Sequence, residues 1–125
     1  RDELRIVGDQ LGAPTPARLI ADVTACVLAG LKNRSIVDIP AEQQGIFHLT
    51  TAGFTSWHGF AEAILQFSDD LQERQVRLLS IPSHDYPTPA QRPQNSRLDC
   101  TRLQQTFGLH LPNWQNALRL TLDTQ

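Results

Sequence analysis

The chain has no methionine, one tyrosine and two cysteines among its 125 residues, and Lys32 is its only lysine. Each scarcity removes a class of chemistry. Cys26 and Cys100 lie far apart, with no second Cys or His close to either, so no paired zinc ligands are set out. Reduced thiols of a cytoplasmic protein are the favoured reading, with a Cys26–Cys100 bridge as the alternative. The only tyrosine, Tyr86, is followed four positions later by Ala90, so a Tyr-x-x-x-Lys proton-transfer pair is absent. No Gly-x-Gly-x-x-Gly or Gly-x-x-Gly-x-x-Gly turn occurs, nor a Gly-x-Ser-x-Gly or His-Glu-x-x-His motif. By itself this chain cannot hold a nicotinamide in the usual way, and no catalytic residue or metal ligand is assigned. His48, His58, His84 and His110 do not pair at ligand spacing. His48 is expected to be a hydrogen-bonded structural histidine, and His58 a solvated or capping one.

No apolar run approaches the roughly 20 residues that a membrane-spanning helix needs, and no leader-like segment opens the chain. Lys+Arg is 11 against Asp+Glu 13, a net charge of −2, which argues against a nucleic-acid clamp. Neither nucleic acid nor membrane is therefore expected as a partner. Hydrophobic residues make up 40%, enough to pack the core of one ordinary domain. The opening Arg1-Asp2-Glu3-Leu4-Arg5-Ile6-Val7 suggests a strand approached from inside a longer protein.

Leu4 to Val7 forms the first predicted strand and runs into a loop of two glycines and two prolines. Thr15 and Pro16 then signal a helix start, and Leu19, Ile20, Val23 and Val27 lay one apolar stripe over Ala17–Ala29, with Gly30 as the stop. After a link through Asn33 and Pro40, Gly45-Ile46-Phe47-His48-Leu49-Thr50 predicts a second, largely buried strand. Thr55 or Ser56 caps a helix carrying Phe60, Ile64, Phe67 and Leu71. Arg77–Ile81 predicts a third strand, stopped by Pro82. Asp99 caps a short helix with Leu103 and Phe107 inward and Gly108 at its end, and a last helix shows Trp114, Leu118 and Leu122. Strands alternating with helices point to an α/β arrangement with parallel pairing, in a sheet small enough to lean on a neighbour.

Two loops stand out. Asp9-Gln10-x-Gly12-x-Pro14-Thr15 leaves a strand and enters a helix, the place where open α/β sheets bind ligands. Gln10 offers an acceptor and donors, and Gly12 admits a ligand close to the backbone. The competing reading is a plain helix start. The segment Pro82–Pro93 holds four of the eight prolines and is a stiff, extended loop. It delivers Arg92, Asn95, Ser96 and Arg97 together, a fork for phosphate beside amide and hydroxyl groups. Here the competing reading is a surface loop whose Arg97 pairs with Asp99 or Asp85.

The run Val7-x-Asp9-Gln10-x-Gly12-Ala13-Pro14-Thr15 is followed in order by Gly45–Leu49 and Thr55-Ser56-Trp57-x-x-Phe60-Ala61. Then comes Tyr86-Pro87-Thr88-Pro89-Ala90-x-Arg92-Pro93-x-Asn95-Ser96-Arg97-Leu98-Asp99, and Leu111-Pro112-x-Trp114 closes the series. Together these resemble the dTDP-4-dehydrorhamnose reductase family of extended short-chain dehydrogenase/reductases. The resemblance implies that residues 1–125 are a single C-terminal substrate-binding piece of a larger NAD(P)-binding Rossmann protein. The implied fold is α/β: the end of the Rossmann sheet plus a small substrate-binding domain, with few short strands and four main helices. It implies reduction of dTDP-4-dehydro-L-rhamnose to dTDP-L-rhamnose with NADPH, in the cytoplasm, for cell-surface polysaccharides. NADPH and the Tyr-x-x-x-Lys pair would belong to the N-terminal portion, so this piece alone would be inactive.

Carried over by position, Gln10, Gly12, Pro14 and Thr15 border the nucleotide-sugar cleft, with Arg92, Asn95 and Ser96 facing them. Arg92 would approach the pyrophosphate. Trp57 and Phe60 are expected to pack at a helix start. Some family members use Mg²⁺ at a homodimer contact through glutamates; this chain carries Asp123 near its end, and the metal-linked dimer is not expected. A homodimer by other contacts, and self-association of the piece alone, remain expectations. Two alternatives stand beside the reductase: a non-catalytic regulatory or scaffold subunit of the same fold, and another extended short-chain enzyme such as a nucleotide-sugar epimerase.

Overall fold

Glu3–Val7 (β1) and Arg77–Ile81 (β4) pair in parallel, with Val7 opposite Ile81. The ladder continues past the strands, since Gly8 N–H donates to Ile81 O at 2.9 Å. At Gly8 a Cβ would meet the Ser80 hydroxyl, so a side chain there needs Ser80 to turn away. The computed structural model describes residues 3–31, 35, 38–72 and 76–123, the side chain of Asp70 apart. Arg1, Asp2, Lys32, Asn33 and the closing Thr124-Gln125 lie outside them.

Among the described residues, four main helices accompany this short ladder, of which Trp57–Phe67 packs against both its strands. Ala17–Gly30 (α1) turns Val23 inward, flanked by half-buried Leu19 and Val27. Ile20 is exposed, because one residue's rotation of about 100° carries it off the stripe begun by Leu19. Trp57–Phe67 (α2) is capped by Ser56, whose Oγ accepts from Gly59 N–H at 3.0 Å. A single turn, Asp69–Gln72 (α3), follows a break at Ser68, so Leu71 does not continue the α2 stripe as expected. Thr101–Phe107 (α4) ends at Gly108 in the left-handed region, φ 63°, where a side chain would be strained. Trp114–Asp123 (α5) completes the set.

The core has two parts. Val23 of α1 meets Leu103 of α4 and Leu111, joined by Phe47 and Phe107 edge to face at 5.1 Å. Ala63 of α2 meets Trp114 and Leu118 of α5, joined by Phe60 and Phe67. Leu11–Gly12 (β2) pairs antiparallel with Thr55–Ser56 (β3), a link the residue pattern did not announce.

Gly45–Thr50 forms no strand. Its alternation is real, with Phe47 and Leu49 half-buried and Ile46 and His48 exposed, but no backbone ladder partner lies beside it among the described residues. His48 is therefore exposed and has no hydrogen bond among the described residues. His58 faces Glu62 at 3.4 Å with its side chain only 18% exposed, neither cap nor solvated. Pro16, in extended conformation, occupies the cap position of α1, and no side chain caps that helix. Gly30 is the last residue of α1, and the helix stops there without a left-handed turn. Both cysteines are free thiols, and the Cys100 sulfur accepts from Thr50 N–H at 3.3 Å.

Candidate functional site

The two loops singled out in the sequence meet. Leu11 N–H donates to Gln94 O at 2.8 Å, and Ser96 N–H donates to Leu11 O at 2.8 Å. These two main-chain bonds clip the proline-rich loop to the first loop with no side chain involved. The β2–β3 pair brings the start of α2 to the same place. A cleft of about 280 Å³ results, with Gln10, Gly12 and Pro14 on one side and Arg92, Pro93 and Ser96 on the other. Thr55, Ser56, Trp57 and Phe60 form its third wall. Gln10, Trp57, Arg92 and Pro93 also border a wider cleft of about 1320 Å³ under the proline-rich loop, lined as well by Arg5, Ser83 and His84.

Of the seven residues proposed from the sequence, five line the smaller cleft: Gln10, Gly12, Pro14, Arg92 and Ser96. Thr15 and Asn95 lie off its lining. The Thr15 hydroxyl donates to Ala13 O at 2.9 Å and accepts from Thr51 N–H at 3.2 Å. Thr51, only 3% exposed, also donates its hydroxyl to Pro14 O at 2.9 Å. Thr15 and Thr51 together fasten the loop from behind. Asn95 Oδ1 accepts from both the backbone N–H and Nε of Arg97, an Asx turn that shapes the loop. Trp57 departs from expectation. It is 55% exposed and forms cleft wall, whereas Phe60 packs on Trp114 at 6.2 Å and touches the cleft with its edge.

Arg92 is the electrostatic centre. Every other described arginine has a partner. Arg5 faces Asp85, Arg18 faces Asp22 and Arg77 faces Glu3. Arg97 binds Asn95 and lies over Phe54, Arg102 binds the carbonyls of Gln44 and Ile46, and Arg119 lies over Phe67. Arg92 has no hydrogen bond or ion pair among the described residues, and it is exposed in the cleft. An unpaired guanidinium flanked by apolar walls suits a bidentate anion attached to a less polar body.

Behind the cleft, Asp9 and Ser83 join the strand ends. Ser83 N–H donates to both Asp9 oxygens at 3.0 Å, and the Ser83 hydroxyl donates to Oδ1 at 2.5 Å. That hydroxyl, then the backbone N–H, holds the Asp9 carboxyl below its ordinary value. Gln10 Nε2 donates to Ser83 Oγ at 3.0 Å. Ser83 was not singled out in the sequence. The signal was available in the pairing register, because Asp9 and Ser83 each lie two residues beyond the paired Val7 and Ile81.

Among the described residues, no three His, Cys, Asp or Glu side chains gather to hold a metal, and no helix is long and apolar enough to cross a membrane. Among the described residues, no Gly-x-Gly-x-x-Gly turn leads from a strand into a helix.

The fold and cleft define a small α/β module, in which loops leaving two parallel strands border a cleft that holds the Arg92 guanidinium. Residues 1–125 match the RmlD substrate binding domain, and the chain belongs to that family. A dTDP-4-dehydrorhamnose reductase of Burkholderia thailandensis is 44% identical over 96% of this chain and 41% of its own length. A crystal structure of the Clostridium acetobutylicum dTDP-4-dehydrorhamnose reductase superposes with a TM-score of 0.81 at 29% identity, covering 99% of this chain and 39% of that one. The Bacillus anthracis reductase in complex with NADP shares the fold, with a TM-score of 0.81 at 22% identity over 100% of this chain and 39% of that one. The chain thus spans about 40% of the length of the curated relatives it matches.

Proposed function

We propose that this chain is the nucleotide-sugar-binding, C-terminal part of a dTDP-4-dehydrorhamnose reductase, reducing dTDP-4-dehydro-L-rhamnose to dTDP-L-rhamnose with NADPH in the cytoplasm. The observation that carries the reading is unpartnered Arg92 in a cleft built from two loops distant in sequence. The family and the relatives' names supply the substrate class. In this reading Arg92 pairs with the pyrophosphate, Gln10 and Ser96 address sugar or nucleotide, and Pro14, Pro93 and Trp57 supply apolar contact. Thr15 and Asn95 support the cleft by ordering its two loops. NADPH supplies the hydride, and it is held, with the proton-transfer residues, by the rest of the longer protein.

The test uses the full-length protein. Titration with dTDP and dTDP-rhamnose is expected to raise its melting temperature, because a ligand that binds only the folded form stabilises it. Arg92→Ala should raise the KM for the nucleotide sugar by about tenfold or more, the scale of one charge-assisted contact. An unchanged KM removes the pyrophosphate role, and no thermal shift with either ligand removes the reading.

A further inference from the structure

Gln10 sits on the wall shared by both clefts, yet nothing in its own loop fixes which end of its amide faces outward. The neighbouring bonds do. An ionised carboxylate only accepts, so the Ser83 hydroxyl proton must point to Asp9. The Ser83 lone pairs are then what Gln10 meets, and Gln10 must present its NH₂ group to them. Its Oε1 has no hydrogen bond among the described residues and is left to the clefts.

We infer that Asp9 and Ser83 are positioning residues that set the Gln10 amide with its Oε1 toward the bound nucleotide sugar, so that Gln10 accepts from a ligand hydroxyl or imide N–H. The inference rests on the function proposed above for the identity of the ligand, and on geometry alone for the amide orientation. The device is economical: the β1–β4 ladder, continued by Gly8, delivers Asp9 beside Ser83, and one hydroxyl passes the orientation on. Asp9 lines neither cleft, whereas Ser83 borders the wider one, so the measurements must separate its action through Gln10 from direct contact with the ligand.

Two measurements on the full-length protein test this. The first needs no ligand: the ¹⁵N order parameter of the Gln10 side-chain amide should fall in Ser83→Ala and in Asp9→Ala, which removes every acceptor for the Ser83 hydroxyl. It should recover in Ser83→Thr, which keeps the hydroxyl. Should Ser83→Ala fail to fold, Asp9→Ala gives the same readout, and an unchanged order parameter overturns the inference. The second is a double-mutant cycle read by calorimetric titration with dTDP-rhamnose. Gln10→Ala and Ser83→Ala should each weaken binding about five- to tenfold, and the double variant no further than about twofold beyond Gln10→Ala. Multiplying losses overturn the inference, since they show Ser83 acting independently of Gln10. If the unaltered protein does not bind dTDP-rhamnose, the proposed function fails, while the amide measurement still decides the orientation.

Discussion

The two loops that face each other across the cleft are built differently. Residues 9–15 are half-buried throughout, fastened at one end by Asp9 to Ser83 and at the other by Thr15 and Pro14 to Thr51. Residues 84–99 are exposed throughout. Their order comes from proline, from internal bonds such as Thr88 Oγ1 to Ala90 O, and from the main-chain clip at Leu11. One wall is held at both ends by side-chain hydrogen bonds to distant residues; the other by the restricted torsions of its own backbone and the two main-chain bonds to Leu11. A cleft can therefore combine a wall fixed at both ends with one stiffened largely by its own prolines, and the latter carries Arg92, which has no ion pair among the described residues.

The comparison can be broken most severely from the fixed side. Thr51→Val removes the hydroxyl that satisfies Pro14 O in a buried setting, so denaturant unfolding should show a loss of about 1–3 kcal/mol. Affinity for dTDP-rhamnose should fall with it. On the proline-stiffened side the two readouts should separate. Pro89→Ala should lower stability by about 0.4–1 kcal/mol at most, because it acts through the unfolded chain. Binding should nonetheless weaken measurably, since the loop then loses more entropy on ordering. Equal sensitivity of stability to both substitutions would erase the distinction.

The smallest effect sharpens it. Asp9 has a folded-state pKa below its unfolded value of 3.8, so its contribution to stability is present above 3.8 and lost as pH falls through the lowered folded value. The melting-temperature gap between the unaltered protein and Asp9→Asn should be full at neutral pH and should close below 3.8. A gap that persists in acid would mean that Asp9 acts by packing.

Much of the scaffold was legible in residue pattern alone. The β1 and β4 strands, the Ser56 cap, the Gly108 stop and the inward faces of α4 and α5 all follow from periodicity and turn chemistry. Local pattern failed where the outcome depends on a neighbour. Residues 46–50 alternate as a strand does, but a ladder needs a second chain segment alongside. Thr15 has the chemistry of a cap, yet Thr51, distant in sequence, claims its hydroxyl. Trp57 looks like core until β2–β3 pairing turns it to the cleft. The two loops were recognisable separately, whereas Ser83 became visible only through the strand register.

Leu11 holds both loops through its N–H and C=O, and its side chain takes no part in that attachment. Substitutions at position 11 can therefore reshape the floor of the cleft while the seam between its walls stays closed. Proline is the exception, since it has no N–H to give to Gln94. Position 11 is thus a place where ligand preference can drift without the architecture being undone.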